Sequence, residues 1–252
     1  MDTELIKPIE PKISIIVPCY NAEQWIEQCL RSALTQTYEN IEVLYVDNQS
    51  TDRSMLIAQR LQLTFPQLTI LYAPNIYPNC WDEAREIGFQ NMKGDYVLVM
   101  GADDFLHPKC IQSYVDVIRE DPDNIFALQS PIRGVQANTN ICVNEIAHQY
   151  SSIDEFKEQC LQKCPVNTPT VMYDTHLYYR EQLKTKPEIY GGAADYDLYC
   201  NLADNGIMIH PVPGWIGYYY RWHSEQATWN VHRENKNYDQ KIQDFWHQKW
   251  KI

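Results

Sequence analysis

The sequence has no stretch that approaches the roughly 20 consecutive apolar residues of a membrane-spanning helix. Its most apolar runs, such as residues 13–17 and 97–100, have only the length of strands. Residues 1–10 carry acids and prolines where a secretory signal has a basic segment followed by an apolar core. We therefore expect a cytoplasmic protein that neither spans the membrane nor carries a secretory signal.

Paired cysteines are missing as well. The chain has 8 cysteines but no Cys-x-x-Cys pair, and Cys160 and Cys164 are the two nearest to each other. This scatter excludes the ligand pairs of a zinc ribbon and the framework of a disulfide-stabilised secreted domain. We expect reduced thiols, most of them buried.

Basic residues are few. The chain carries 21 Lys+Arg against 33 Asp+Glu, which gives 252 residues a formal net charge of −12. This balance argues against a general nucleic-acid binder, which presents a basic face, and against broad docking on anionic lipid. With 44% hydrophobic and 21% charged residues the composition is that of a globular protein. Its length suits one large domain or two small ones.

Strand-like and helix-like segments alternate four times within the first 100 residues. Short β-branched runs ended by turn residues predict the strands, and apolar residues at helical spacing predict the helices. Asn21 is the predicted cap of the first helix, whose apolar face consists of Ile26, Cys29, Leu30, Ala33 and Leu34. The predicted strands are 12–19, 41–46, 68–72 and 95–100, and the two later helices are 51–63 and 79–92. This alternation is typical of a mostly parallel, Rossmann-like sheet with helices on both faces.

Acidic residues directly follow two of the predicted strands. Asp47 follows the second strand, and Asp103 and Asp104 follow the fourth. The ends of parallel strands meet at one edge of a sheet, so these acids are expected at its carboxyl edge. Open α/β sheets bind their ligands at that edge.

The second half of the chain is less regular. Ser152 and Glu155 form a candidate capping box, and Gly206 follows a predicted helix end. We predict helices over 107–119, 151–164, 195–204 and 235–252, and strands over 124–129, 168–173, 207–212 and 217–222. The last helix carries several aromatic residues. It either docks on the domain, touches a membrane surface, or forms a dimer contact.

Several segments in this order resemble the family 2 glycosyltransferases. They are Ser-Ile-Ile-Val-Pro-Cys-Tyr-Asn at 14–21, residues 30–36, Tyr-Val-Asp-Asn-Gln-Ser-Thr-Asp at 45–52, Gly-Asp-Tyr-Val at 94–97 and Ala-Asp-Asp-Phe-Leu-His-Pro at 102–108. The resemblance implies an α/β GT-A fold that uses nucleotide-activated sugars. It implies one domain over 1–252, with a donor half at 12–105, an acceptor half at 106–228 and a helical tail at 229–252.

By position in the family, the donor nucleotide is held by the turn after the first strand and the acid after the second. The resemblance therefore assigns donor binding to Pro18, Tyr20, Asn21 and Asp47. A carboxylate accepts hydrogen bonds from a base N–H or a ribose hydroxyl, and Tyr20 offers a flat ring. The alternatives are that Pro18 and Tyr20 only shape the turn and that Asp47 caps its loop.

The family's acidic metal motif falls at Gly101-Ala-Asp-Asp104, where Gly101 replaces the first acid. The resemblance implies that Asp104 ligates Mn²⁺ or Mg²⁺ and that Asp103 contacts the ribose or the metal's water. Such hard cations prefer carboxylate and phosphate oxygens. His223 is a further candidate metal or diphosphate ligand, with a locally bonded loop histidine as its alternative. A surface turn with two solvated acids is the alternative for the Asp pair.

Residues 79–85 resemble the family segment that ends Ala-Arg-Asn, although Glu86 replaces its Asn and Trp81 stands where a Gly is common. The resemblance points Arg85 at the donor, where a guanidinium suits phosphate or base recognition. A surface ion pair of Arg85 with Asp82 or Glu86 is the open alternative.

Residues 191–199 resemble the family's Glu-Asp-x-Asp-Leu segment, with Ala194 in place of Glu. By position Asp195 is the catalytic base that takes the proton of the attacking acceptor hydroxyl. Asp197 is the alternative base. The displacement inverts the anomeric centre.

The resemblance implies a metal-dependent, inverting, non-processive hexosyltransferase of surface-polysaccharide biosynthesis. Its partners are a nucleotide-sugar donor, by default a UDP-sugar, and a glycan or lipid-linked acceptor. Residues 130–168 are expected to shape the acceptor site. A nucleotide-sugar-binding protein of the same fold with weak catalysis is the alternative. A processive synthase is excluded because Tyr218 stands where its Gln-x-x-Arg-Trp motif needs Gln. A pyrophosphorylase is excluded because residues 18–21 are not a glycine-rich phosphate loop.

Overall fold

The computed structural model describes residues 10–74, 80–137, 139, 141–212, 214, 217–224, 226 and 237–251, without the side chains of 80–82. Its strands are β1 (Ile13–Cys19), β2 (Ile41–Asp47), β3 (Leu68–Tyr72), β4 (Tyr96–Val99), β5 (Phe105–Leu106), β6 (Ala127–Gln129), β7 (Ile132–Gln136), β8 (Cys142–Ile146), β9 (Met172–Asp174), β10 (Ile209–Pro211) and β11 (Tyr218–Trp222). Its helices are α1 (Ile26–Leu34), α2 (Ser54–Gln62), α3 (Cys80–Asn91), α4 (Cys110–Glu120), α5 (Ile153–Cys160), α6 (His176–Tyr179), α7 (Pro187–Tyr190), α8 (Ala194–Asp204) and α9 (Tyr238–Trp250). Two 3₁₀ turns lie at Thr168–Thr170 and Gly191–Ala193.

Over the described residues the main sheet has seven strands, in the order β10-β6-β9-β4-β1-β2-β3. Strands β4, β1, β2 and β3 are parallel neighbours, and β10 pairs parallel with β6. Only β9 runs antiparallel, between β4 and β6. The predicted mostly parallel α/β sheet flanked by helices is therefore confirmed.

Strands β1 and β2 are buried along their whole length because helices cover both faces of the sheet. Ile13, Ile15 and Val17 face one core with the buried stripe of α1, and Ile16 faces the other core. The predicted apolar face of α1 is confirmed at all five of its positions. Burial on two faces explains why these strands are visible in the sequence as β-branched runs.

Two local predictions are wrong. Asn21 does not cap α1, which begins five positions later with Trp25 as its N-cap. Residues 168–173 are not one strand, because Thr168–Thr170 form a 3₁₀ turn before β9 begins at Met172. The capping box of α5 is half confirmed: Ser152 Oγ accepts from Glu155 N–H, but the Glu155 carboxylate accepts from Ser151 N–H.

A second sheet, in the order β5-β11-β7-β8, was not predicted apart from β11. It begins directly after Asp104, and β11 pairs antiparallel with β5. Within the described part of the chain, no helix is long and apolar enough to cross a membrane. The cysteines with described side chains are free, and Cys19, Cys29, Cys110, Cys160 and Cys200 are buried, as expected.

Candidate active site

The first and second strands end side by side at the carboxyl edge of the main sheet. Pro18 lies in β1 opposite Val46, and Asp47 ends β2. The Asp47 carboxylate is buried and accepts hydrogen bonds from Tyr45 Oη at 2.9 Å and Ser50 N–H at 3.1 Å. These bonds give Asp47 a loop-capping role. Nucleotide binding by Asp47 and Pro18 stays a prediction.

Tyr20 and Asn21 form the turn after β1. Tyr20 is 53% exposed, so its ring is accessible to a ligand. Asn21 adopts the left-handed conformation at φ 51°, which asparagine tolerates better than most residues. Its Oδ1 accepts from Thr51 N–H at 2.8 Å, and its N–H donates to Ser50 Oγ at 3.1 Å. Asn21 therefore ties the β1 turn to the β2 loop, and direct donor contact by Tyr20 and Asn21 stays a prediction.

Asp104 is the most buried acid of the site, with 1% of its surface exposed. Its Oδ1 accepts from Arg221 N–H at 2.8 Å and its Oδ2 from Tyr218 Oη at 2.7 Å. Burial and the neighbouring Asp103 charge raise its pKa well above the usual value, against the opposing effect of these hydrogen bonds. The structure thus uses Asp104 to fasten β11 to the acidic turn. Its predicted metal contact stays a prediction.

Arg221 locks the same turn from the other side. Its buried guanidinium donates from Nε to the Asp103 carbonyl oxygen at 2.7 Å and from Nη2 to Gln28 Oε1 at 2.7 Å. The Trp25 and Phe105 ring centroids lie 4.6 and 5.1 Å from Cζ. Cation–π contacts of this kind strengthen when they are shielded from water. The turn is therefore held by side-chain bonds, ring contacts and backbone bonds together.

The Asp103 carboxylate and the His223 imidazole meet at the open side of this turn. Asp103 Oδ2 lies 2.9 Å from His223 Nε2, and the two side chains are 30% and 13% exposed. A carboxylate oxygen and a neutral imidazole nitrogen are both ligands of Mn²⁺ in proteins. Among the described residues no group of three or more His, Cys, Asp and Glu side chains converges as a metal cluster. The residues fit a cation with two protein ligands and further ligands from elsewhere.

Asp195 lies at the same edge of the sheet as Asp103, because β9 brings the segment that contacts Asp195 to this edge. Met172 of β9 pairs with Leu98 and Asp174 with Tyr96, so β9 begins beside the carboxyl end of β4. The 3₁₀ turn just before β9 brings Thr168 Oγ1 to 2.5 Å from Asp195 Oδ2. The antiparallel strand thus places the first turn of α8 at the ligand edge.

The environment of Asp195 suits a base. Its side chain is half-buried, and its Oδ1 accepts from Tyr196 N–H at 2.9 Å. Burial raises the pKa of the Asp195 carboxyl, although the bonds from Thr168 and Tyr196 and the charge of Arg85 lower it. A carboxylate with a raised pKa is a stronger proton acceptor once it is ionised.

Arg85 lies in α3 near Asp195. Its Nη2 donates to Thr185 Oγ1 at 2.9 Å, and Cζ lies 5.9 Å from the Phe89 ring centroid. It lines an open cleft of about 640 Å³ between α3 and residues 178–187. The predicted donor contact of Arg85 stays a prediction, and the positive charge of Arg85 acts on the carboxyl of Asp195.

Three residues that hold the candidate site together were not predicted as site residues from the sequence: Thr168, Tyr218 and Arg221. Thr168 gave no signal, because it stands 27 positions from Asp195. Arg221 is the single charge in the aromatic strand β11. A lone charge in an apolar strand indicates a buried polar partner. The acidic residues of the turn at 103–104 were candidates for that partner.

Comparison with known proteins identifies the family of this chain. The Glycosyl transferase family 2 model matches residues 14–185. An uncharacterized glycosyltransferase of Haemophilus influenzae is 26% identical over 237 residues, which are 90% of this chain and 70% of that protein. Glycosyltransferase GlyA of Streptococcus pneumoniae is 34% identical over 110 residues, which are 44% of this chain and 15% of GlyA.

Solved structures share the fold. S. aureus TarS 1-349 in complex with UDP-GlcNAc has a TM-score of 0.65 at 20% identity, over 85% of this chain and 60% of that one. Mannosyltransferase PcManGT from Pyrobaculum calidifontis, in complex with GDP-Man and Mn²⁺, has a TM-score of 0.62 at 17% identity, over 88% and 61%. The chain thus spans about three fifths of these proteins. Its match over residues 14–185, its relatives and this fold show that the chain belongs to glycosyl transferase family 2 and is a glycosyltransferase with the GT-A fold.

Proposed function

We propose that this enzyme transfers one sugar at a time from a nucleotide-sugar to a hydroxyl of a glycan or lipid-linked acceptor, with inversion and with a divalent metal. The observation that carries this proposal is the placement of two separate acidic centres at one sheet edge. Asp103 with His223 forms the first centre, and Asp195 with Thr168 forms the second. One centre suits the leaving diphosphate, and the other suits the attacking hydroxyl.

The donor is assigned to the ends of β1 and β2. The exposed ring of Tyr20 is available for stacking on the base, and Asp47 accepts from the N–H of Ser50, whose Oγ accepts from Asn21 N–H. TarS and PcManGT are described with UDP-GlcNAc and GDP-Man respectively, so both uridine and guanosine donors occur in this fold. A UDP-sugar is the donor we propose, within a donor half at 12–105.

Asp103 and His223 are the residues we assign to the metal, with Mn²⁺ preferred because Mg²⁺ favours oxygen ligands. The cation would neutralise the charge that develops on the leaving nucleoside diphosphate. Asp104, Arg221 and Tyr218 keep the two ligands in place. This assignment moves the main ligand role from Asp104 to Asp103, because both oxygens of Asp104 already hold β11.

Asp195 is the base we propose. As the acceptor hydroxyl attacks the anomeric carbon, the Asp195 carboxylate takes its proton while the bond to the diphosphate breaks on the opposite face. Thr168 and the Tyr196 N–H keep the carboxylate oriented. The acceptor half is assigned to residues 106–228, and a lipid-linked acceptor places the reaction at the inner face of a membrane.

A thermal-shift screen tests the proposal. Nucleotide sugars and nucleoside diphosphates are added with and without Mn²⁺, because a ligand of the folded state raises the melting temperature by mass action. At a ligand concentration of about 100 times Kd the gain is about 2.7 kcal/mol. We expect one nucleotide class to stabilise the protein, and only with Mn²⁺. No shift with any nucleotide would remove the donor assignment.

The second candidate is a nucleotide-sugar-binding protein with weak catalysis. Gly101 favours it, because this position lacks the acid that the family motif has there. It predicts metal-dependent binding in the same screen but only slow release of nucleoside diphosphate with every acceptor. Fast, acceptor-dependent donor turnover would reject it.

Gly101→Ala should weaken metal-dependent nucleotide binding. A Cβ at this position would lie 2.7 Å from Asp103 Oδ1 and 2.9 Å from Asp104 Oδ2, so both carboxylates must move. We expect the Kd for nucleotide with Mn²⁺ to rise on the order of 10-fold, which corresponds to about 1.4 kcal/mol. Calorimetric titration measures it, with Ala102→Gly as the neighbouring control. An unchanged Kd would contradict this prediction, because the turn would then accommodate the added methyl group without displacing the metal ligands.

A further inference from the structure

The last helix, α9, lies outside the residues that match the family model, yet it packs on the helix that carries Asp195. Ile242 and Trp246 are its buried residues. Both belong to the same core cluster as the buried face of α8. The docking interpretation of the tail is therefore confirmed for α9.

Contacts of α9 are spread along α8, from the turn before it to its end. A Cβ on Gly191 would lie 2.8 Å from the Tyr238 ring, so this ring lies directly on the turn that precedes α8. Gln243 Nε2 donates to Tyr196 Oη at 3.3 Å. At the far end, Lys249 Nζ and Trp250 Nε1 reach the Asp204 carboxylate at 2.7 and 2.9 Å.

Asp197 is the central contact, two positions after Asp195. Its side chain is 3% exposed. One oxygen accepts from Trp246 Nε1 at 3.0 Å, and the other pairs with Lys186 Nζ at 3.0 Å. Both oxygens are thus engaged by neighbouring elements, α9 on one side and the start of α7 on the other. Asp197 fastens the first turn of α8 instead of facing a substrate.

We propose that α9, through the Trp246–Asp197 contact, is a positioning element for the catalytic base. This inference rests on the proposed role of Asp195. The first turn of α8 holds both carboxylates, so a shift of Asp197 moves Asp195 with it. Misplacement of a reacting group by about 1 Å can cost on the order of 100-fold in rate. The donor centre at Asp103 is fastened separately by β11 and does not depend on this contact.

Trp246→Phe tests the proposal, because it removes the Nε1–H donor and keeps an aromatic ring in the core. We expect kcat for sugar transfer to fall about 10-fold, while the KM for the donor and the Kd for nucleotide with Mn²⁺ change less than about 2-fold. A merely structural role would lower the melting temperature without this split. Gln248→Ala, an exposed position of the same helix, is the matched control and should behave as wild type.

A second variant keeps the test open if Trp246→Phe fails to fold. Lys186→Met breaks the other contact of Asp197 from a half-exposed position outside α9, and it should show the same fall in kcat at constant donor KM. Unchanged kcat in both folded variants, or equal loss of donor binding and kcat, would overturn the proposal. Full transfer by Asp195→Asn would instead overturn the base assignment itself, so the two failures are distinguishable.

Discussion

Asp195→Asn should reduce kcat for sugar transfer by about 10² to 10⁴-fold, the usual contribution of general-base catalysis. The amide keeps the size of the side chain and its bonds with Thr168 and Tyr196, but it cannot take the proton of the acceptor hydroxyl. Nucleotide binding with Mn²⁺ should stay within about 2-fold of wild type, because Asp103 and His223 are untouched. Initial rates at saturating donor and calorimetric binding measure the two effects.

Asp197→Asn is the matched control, because it makes the same chemical change two positions away. It removes the pairing with Lys186, because the amide NH₂ then lies at Lys186 Nζ, while the amide oxygen still accepts from Trp246. We therefore expect a kcat loss of no more than about 10-fold. A larger loss in Asp197→Asn than in Asp195→Asn, with both proteins folded, would make Asp197 the base.

The pH dependence of wild-type kcat gives a further check on the base. Only the ionised carboxylate accepts a proton, and burial raises the pKa of Asp195. Activity should therefore fall on acidification at a higher pH than an ordinary aspartate would give. Thr168 donates to the Asp195 carboxylate, and Arg85, Tyr173, Tyr199 and Cys164 interact with it electrostatically. If the residual activity of Asp195→Asn no longer falls on acidification in this pH range, the fall in the wild type comes from Asp195.

Asp103→Asn should abolish Mn²⁺-dependent donor turnover, with a loss of at least about 100-fold. Even partners that only orient a metal ligand contribute 10–100-fold to affinity or activity. The substitution leaves one acceptor oxygen and a neutral side chain next to His223, so the site loses a negative ligand for a divalent cation. The affinity for Mn²⁺ is measured from the paramagnetic resonance signal of the free ion, with nucleoside diphosphate at saturation. It should fall together with the turnover.

Asp104→Asn is the comparison that separates the two acids. The amide still accepts from Arg221 N–H, and Tyr218 can accept from its NH₂ group, so β11 stays attached. We expect a loss of Mn²⁺ affinity at least about 10-fold smaller than that of Asp103→Asn. Strong loss in Asp104→Asn beside near-normal binding in Asp103→Asn would return the ligand role to Asp104.

Strands β1, β2 and β4 were predictable because they are buried along all or most of their length. Such strands are continuous apolar runs that end in turn residues, and the acids at their tips fall at one edge by topology alone. Strand β8 was not predictable, since all five of its residues are exposed and carry no burial pattern. The 3₁₀ turn at Thr168 was missed because its Thr-Pro-Thr sequence resembles the beginning of a strand as much as a turn.

The site was predictable as a set of acids and only partly as a set of contacts. Strand ends indicated Asp47, Asp103 and Asp104 as candidates, but not which carboxylate faces outward. That choice depends on Arg221, which reaches Asp103 across 118 positions of sequence. Contacts between residues so far apart leave no periodic pattern in the sequence. The hydrogen bonds of Asp104 and the Trp246–Asp197 contact are therefore visible only in the three-dimensional structure.

Release of nucleoside diphosphate from the preferred nucleotide-sugar, measured with wild-type enzyme in EDTA and after Mn²⁺ is restored, tests the central claim most directly. The proposed metal centre at Asp103 and His223 predicts no turnover in EDTA and full recovery with Mn²⁺. Undiminished turnover in EDTA would contradict it, because the leaving diphosphate would then be stabilised by this chain's own side chains alone.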